Sequence, residues 1–334
     1  MKFTVAVDAM GGDDSPLKVI KGLNLFLEKN NNLNFLIFGN KDLINPILSK
    51  YPLVTSSSTI IHTNERVRDD LSPLEAVKKG KNSSMFLALT ALKDNKAQIA
   101  ISAGNTGALL VMSRLVLNTM EGVDKPALAS MWPNHKNMSV VLDLGANIEC
   151  STKNLIDFAK LGSALFKSIF KKEKPTVALL NIGTEETKGT DLLKKTSKSL
   201  RELDSKNFNY MGFIEGSDIK DGNADVVVTD GFSGNIALKT AEGTVKFFAN
   251  KLREKFKNSF YAKLIYLISF KIFKDIRNDL DPRKYNGGIF VGLTSPVVKS
   301  HGGTDYIGFY YSVLLCYNIL NGNFQEQIQN NFLD

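Results

Sequence analysis

Five loops in the 334-residue chain follow short apolar runs and hold residue types that grip an anion or steady a developing negative charge. "ISAGNTGA" (101–108) presents Asn105 and Thr106 between two glycines, and "LDLGANIE" (142–149) presents Asp143, Gly145 and Asn147. "LLNIGTEETKG" (179–189) offers Gly183, Thr184 and Lys188, while "VVVTDGFSGNIALK" (226–239) offers Asp230, Ser233, Asn235 and Lys239. The fifth, "VVKSHGGTD" (297–305), sets His301 before a glycine pair. Glycine turns that lead into helices expose backbone N–H groups, and a nearby lysine adds charge, a combination suited to phosphate. Asparagine amides and hydroxyls can also donate to an oxyanion. The same residues serve ordinary turns and N-caps, so it is their recurrence after five apolar runs that points to chemistry.

The stretch "VAVDAMGGDDSP" (5–16) differs from a dinucleotide fingerprint because Asp8, Asp13 and Asp14 crowd the turn around Gly11 and Gly12. Carboxylates there would repel a bare phosphate. Their expected work is to receive N–H groups at the strand end, to cap the helix that Pro16 begins, or to orient cations. In "AVKKGKNSSM" (76–85), Lys78, Lys79 and Lys81 precede Ser83 and Ser84, which suit a helix cap. Lys81 is a candidate anion ligand, although lysines on a short helix also serve as a solvated face. His62 and His135 read as structural or solvent-facing. There is no G-x-S-x-G elbow, and Cys150 and Cys316 lack C-x-x-C spacing, so neither a disulfide framework nor a zinc site is signalled. Post-strand aspartates could in principle hold a divalent ion, but no metal and no cofactor is expected.

The elements that must position these residues alternate along the chain. "FTVAVDA", "NFLIFG", "QIAIS", "SVVLDL", "TVALLN" and "DVVVT" read as buried strands, with helical patterns after most of them. This predicts an α/β fold with a three-layer, doubly wound, mostly parallel sheet in a single domain over residues 1–334. Ligands are then expected beyond the carboxyl ends of the strands. With 43% hydrophobic residues the chain can bury a sizeable core. Net charge is +8, and residues 246–284 alone hold eleven Lys or Arg against four acids. That concentration argues against a whole-surface nucleic-acid binder and for one local basic patch. Residues 245–284 are expected to form a protruding helical hairpin. Within it "FYAKLIYLISFKIF" (260–273) places Leu264, Ile265, Ile268 and Ile272 for membrane or dimer contact, in a run too short to span a bilayer. The N-terminal residues reach an aspartate too soon for a signal-peptide core, so the expected location is cytoplasmic with peripheral membrane association.

The strings "DAMGGD", "SAGNTGA", "LDLGAN", "LLNIGTEETKG", "GFIEG" and "VVVTDGFSGNIALKT", in that order from residue 8 to 240, followed by "VVKSHGG", resemble the bacterial phosphate acyltransferase family, PlsX. The resemblance implies transfer of a fatty acyl group from acyl carrier protein to inorganic phosphate, giving acyl phosphate for phospholipid synthesis. It also implies a homodimer whose sheet is similar to phosphotransacetylases and isocitrate dehydrogenase-like enzymes. Such a reaction needs no activated Ser or Cys if phosphate attacks the thioester directly. By analogy with the Asp-Gly segment of phosphotransacetylases, Asp230, Ser233 and Asn235 are expected at the reacting centre, with His301 steering a proton. Asn105, Thr106, Asn147, Gly183, Thr184, Lys188, Lys239 and Lys81 are the candidate substrate ligands. Lys188 is expected to share one anion site with the loops at Asn105 and Gly183. Two other readings stand beside this one: a metal-dependent NAD(P) decarboxylating dehydrogenase on a related sheet, and a non-catalytic membrane-associated scaffold.

Overall fold

Runs of small and β-branched residues become the strands of one sheet. They are β1 (Phe3–Asp8), β2 (Leu33–Gly39), β3 (Ser58–His62), β4 (Ile99–Ser102), β5 (Ala127–Pro133), β6 (Met138–Leu142), β7 (Thr176–Leu180), β8 (Asn209–Ile214), β9 (Val226–Val228), β10 (Gly288–Val291) and β11 (Val297–Lys299). The structure, a computed structural model, describes residues 2–68, 70–203, 205–258, 261, 269–279 and 281–333. Between the strands run α1 (Leu17–Leu27), α2 (Lys41–Leu48), α3 (Pro52–Ser56), α4 (Pro73–Lys79), α5 (Ser84–Lys93), α6 (Thr106–Leu117), α7 (Thr152–Phe170), α8 (Asp191–Glu202) and α9 (Gly231–Asn258). After them come α10 (Phe270–Asp279), α11 (Tyr306–Asn321) and α12 (Phe324–Leu333).

The described strands pair in the order β3-β2-β1-β4-β11-β10-β5-β6-β9-β7-β8. Pairing is parallel from β3 to β11 and again from β6 to β8, but antiparallel at β11–β10, β10–β5 and β5–β6. Three reversals leave the two parallel blocks pointing in opposite directions. Loops after β1, β4 and β11 therefore leave one end of the sheet, and loops after β6, β9 and β7 leave the other.

Alternation along each strand sends side chains to two faces. On one face Val5, Val7, Phe35, Ile37, Val140 and Leu142 pack with residues of α1, α7 and α11, including Phe26, Phe158 and Phe309. On the other, Ala6, Ala100 and Phe290 pack with α5 and α6, and Val141, Ala178 and Val227 pack against Leu238 of α9. These are the three layers. Beyond its first turns α9 leaves the sheet, and Val245, Phe247, Phe248 and Leu252 are exposed. Residues 245–258 of the expected excursion continue the helix that starts at Gly231. Leu264, Ile265 and Ile268 lie outside the described residues, as does the side chain of Ile272. No helix among the described residues is long and apolar enough to cross a membrane.

Candidate active site

Two loop clusters, one at each end of the sheet, gather the sequence-predicted residues. The first lies beyond β1, β4 and β11 and is organised by Asp8, which is buried. Its Oδ1 accepts from the Met10 N–H (3.1 Å) and the Ser84 hydroxyl (2.6 Å), and its Oδ2 accepts from the Ser102 hydroxyl (2.6 Å). Burial pushes the Asp8 carboxyl above the ordinary aspartate range while these donors pull it back. Ser102 Oγ in turn accepts from the Gly104 N–H at 3.0 Å. The turn at Gly11 and the loop at Gly104 touch so closely that a Cβ on Gly11 would stand 2.5 Å from the Gly104 nitrogen. Asp13 and Asp14 are exposed, and neither caps α1, whose N-cap is Pro16 without a side-chain bond. Of the roles expected for the three aspartates, Asp8 alone fills one, by receiving donors at the strand end.

Around Asp8 the other members of this cluster are set by capping. Asn105 Oδ1 accepts from the Ala108 N–H (2.9 Å) and opens α6, with Thr106 as its first residue. Ser83 caps α5, as its place in the sequence suggests, and Lys81 is exposed in the link leading to it. In the last loop the His301 N–H donates to Asn286 Oδ1 (3.0 Å) and its Nδ1 accepts from the Gly303 N–H (3.1 Å). An accepting Nδ1 leaves the ring proton on Nε2. Burial, reinforced by the Lys299 ammonium, holds the His301 pKa below 6.5.

The second cluster lies beyond β6, β9 and β7 and is organised in the same way by Asp143, also buried. Asp143 Oδ1 accepts from the N–H groups of Leu128, Gly145 and Ala146 at 3.0, 3.2 and 2.9 Å. Oδ2 accepts from the Asn147 N–H (2.7 Å) and Nδ2 (2.9 Å). Burial raises the Asp143 pKa against the pull of these bonds. The loop so held gives the Asn147 carbonyl to the Gly231 N–H at 2.8 Å, which fixes the start of α9. Gly234 is required there, because a Cβ would stand 1.9 Å from the Asp143 carbonyl oxygen.

Asp230 caps this helix start: its carboxylate accepts from the Ser233 N–H (2.8 Å) and hydroxyl (3.0 Å). Asn235 is exposed, and among the described residues its side-chain amide makes no hydrogen bond. Lys188, on the neighbouring loop, is exposed with an ammonium that makes no hydrogen bond or ion pair among the described residues. Its own loop is closed by the Lys188 N–H on the Glu185 carbonyl (3.0 Å) and by Asn181 Nδ2 on the Lys188 carbonyl (3.3 Å). Gly183 packs against Lys188, and Thr184 is exposed. Cys150 lies beside Gly231, but burial and the Asp143 carboxylate push its thiol up to about 11, so it is a poor source of thiolate at neutral pH.

α9 connects the clusters. Lys239 stands one turn beyond Asn235, about 6 Å along the axis, and pairs with Glu242 at 2.9 Å. Both lie within electrostatic reach of His301. Lys239 and His301 thus influence each other electrostatically although the strands before them run to opposite ends of the sheet. Asn105 and Gly183 follow β4 and β7, which run in opposite directions with five strands between them. Sequence reasoning missed Asp143 as the organiser of its loop, and it missed Arg66. Arg66, an exposed residue, lines a cavity of about 270 Å³ with Met10, Gly12, Val67, Arg68 and Asp70. The signal for Arg66 is its place after the strand "STIIH", β3, which sequence patterning left unread.

A profile of the fatty acid synthesis protein family matches residues 3–327. A phosphate acyltransferase of Pelagibacter ubique is 52% identical over 327 residues, covering 98% of both chains. A phosphate acyltransferase of Rhodospirillum centenum is 45% identical over 328 residues, covering 98% of this chain and 92% of that one. Among solved structures, a phosphotransacetylase from Streptococcus pyogenes superposes with a TM-score of 0.64 at 16% identity, covering 98% of this chain and 94% of the other. The EutD phosphotransacetylase of Staphylococcus aureus gives 0.60 at 16% identity, over 96% and 94%. These two likenesses bear on the fold.

Proposed function

The chain belongs to the fatty acid synthesis protein family, with phosphate acyltransferases as near relatives, and from that premise we propose that it is itself a phosphate acyltransferase. It moves a fatty acyl group from acyl carrier protein to inorganic phosphate and so supplies acyl phosphate for phospholipid synthesis. The supporting observation is the open pair at one end of the sheet: the Asn235 amide and the Lys188 ammonium, on loops after adjacent strands β9 and β7. An oxygen of hydrogen phosphate, held by Lys188 with Gly183 and Thr184, attacks the thioester carbonyl. Charge develops on the carbonyl oxygen, where Asn235 donates. Collapse breaks the C–S bond, and the proton that arrived on hydrogen phosphate ends on the departing thiol. Atoms and charge balance without a further reactant. Asp230 and Ser233 hold the helix start that carries Asn235, and neutral His301 with Lys239 lines the path of that proton. Asn147 fixes the loop beneath, while Asn105, Thr106 and Lys81 face the substrate from the other cluster. Conversion of labelled inorganic phosphate into an organic-soluble acyl phosphate tests the reading.

The exposed apolar side chains of α9 support a second part of the proposal. Phe247 and Phe248 are 58% and 67% exposed on a helix that also carries Lys246, Lys251 and Arg253. Apolar residues bordered by cations suit an anionic lipid surface, and the same stripe can pack against a second copy. The chain works as a homodimer, peripherally bound to the cytoplasmic face of a membrane, with residues 245–284 as the contact within a single 1–334 domain.

A further inference from the structure

We infer that the cavity against the Gly11–Gly12 turn is a second binding site, built around Arg66, for a phosphate group. Its lining is Met10, Gly12, Arg66, Val67, Arg68 and Asp70, and its volume is about 270 Å³. The two arginines differ in what they have left to give. Arg68 is spent on Asp70, with Nε and Nη2 donating to the two carboxylate oxygens at 3.0 and 2.7 Å. That pair also neutralises the acid in the cavity wall. Arg66 makes no hydrogen bond or ion pair among the described residues, so its fork of donors is open to a ligand. A planar, permanently charged fork matches phosphate oxygens better than any other side chain.

The Gly12 part of the lining is held tightly by the backbone behind it. Gly12 has φ +77°, a conformation that favours glycine, and a Cβ there would meet the Ala103 carbonyl at 2.8 Å and the Lys18 ammonium at 2.8 Å. Lys18 is buried, and its ammonium donates to the Gly302 carbonyl directly behind this turn. The buried carboxylate of the same strand end, Asp8, is held by two serine hydroxyls and the Met10 N–H. Asp13 and Asp14 are exposed, where solvent and salt weaken their repulsion.

The phosphate group has two possible sources: inorganic phosphate, or the phosphate ester of the arm that carries the acyl thioester. Only this choice of source rests on the proposed function. The test is calorimetric titration of inorganic phosphate and, separately, of pantetheine 4′-phosphate into the full chain, Arg66→Ala and Arg66→Lys, with thermal unfolding to confirm folded variants. Losing a charged hydrogen bond to phosphate should weaken binding roughly tenfold or more in Arg66→Ala, with part of it restored in Arg66→Lys. Weakening of inorganic phosphate alone identifies the free anion, and weakening of pantetheine 4′-phosphate alone identifies the carrier's arm. If both bind Arg66→Ala as tightly as the unaltered chain, or neither binds the unaltered chain, the site is refuted. Such a result beside normal acyl phosphate synthesis removes this inference only; Arg66-dependent binding without acyl phosphate synthesis removes the proposed function and leaves the site.

Discussion

Asn235 rests against Gly145: a Cβ added to the glycine would stand 3.4 Å from both Cβ and Cγ of the asparagine. Gly145, at φ +123°, is pinned through its N–H to Asp143, so the surface beneath Asn235 is fixed before any substrate arrives. The amide of Asn235 stands on that fixed surface with its donors uncommitted among the described residues. Asn235→Ala is expected to lower kcat roughly 100-fold with little change in thioester KM, the size of effect seen for loss of one oxyanion donor. Steady-state kinetics at saturating phosphate decide it, and an unchanged kcat in a folded variant removes Asn235 from the reacting centre.

Lys188 has a different expected signature because its charge serves the attacking anion. Lys188→Ala should raise the phosphate KM roughly tenfold or more, the worth of one charged hydrogen bond, while the thioester KM moves little. Varying each substrate at a fixed level of the other separates the two. Equal changes in both constants speak against a phosphate ligand.

His301 supplies the pH dependence. Burial and Lys299 lower its pKa from 6.5, with Lys239 and Lys246 adding to the effect and Glu242 opposing it. The neutral ring is therefore present at pH 6.5 and above, and it is lost as pH falls through the folded pKa. The acid limb of kcat/KM due to His301 should lie below 6.5 and disappear in His301→Gln. A limb centred above 6.5 that vanishes in that variant contradicts this reading of the ring.

Within the basic segment, replacing Leu264 and Ile268 with Glu is expected to abolish co-sedimentation with anionic vesicles while acyl phosphate synthesis in solution persists. Sedimentation velocity on the same samples reads the oligomeric state. Joint loss of dimer and activity, with no vesicle binding by the unaltered chain, assigns the stripe to a subunit interface instead.

Much of this architecture is legible in the sequence, and the illegible parts have physical reasons. All six strands read from branched runs exist, because burial on two faces demands continuous apolar stretches. β5, β10 and β11 were passed over: "ALASMWP" mixes small and polar residues, and "GIFV" and "VVK" are too short to show a period. Those strands contain the three reversals of direction, which are long-range pairings with no local signature. Which loops share an end of the sheet is hidden with them, so the opposite ends from which the Asn105 and Gly183 loops leave are not legible in the sequence. Asp230, Ser233 and Asn235 were found through their spacing after "DVVVT". Asp143 looked like one more turn residue because its role lies in five donors, four of them backbone, that converge only in the fold.

Direct attack of phosphate on the thioester is the central claim, and it is tested most directly by following free thiol and acyl phosphate together, with phosphate present and withheld. The purified chain is mixed with acyl carrier protein thioester, and thiol release is compared with transfer of labelled phosphate into an organic-soluble product. Thiol and acyl phosphate are expected to appear one for one, and only when phosphate is present. Thiol release without phosphate, accompanied by an acylated protein, would contradict direct attack, and the absence of acyl phosphate at every chain length would contradict the function itself.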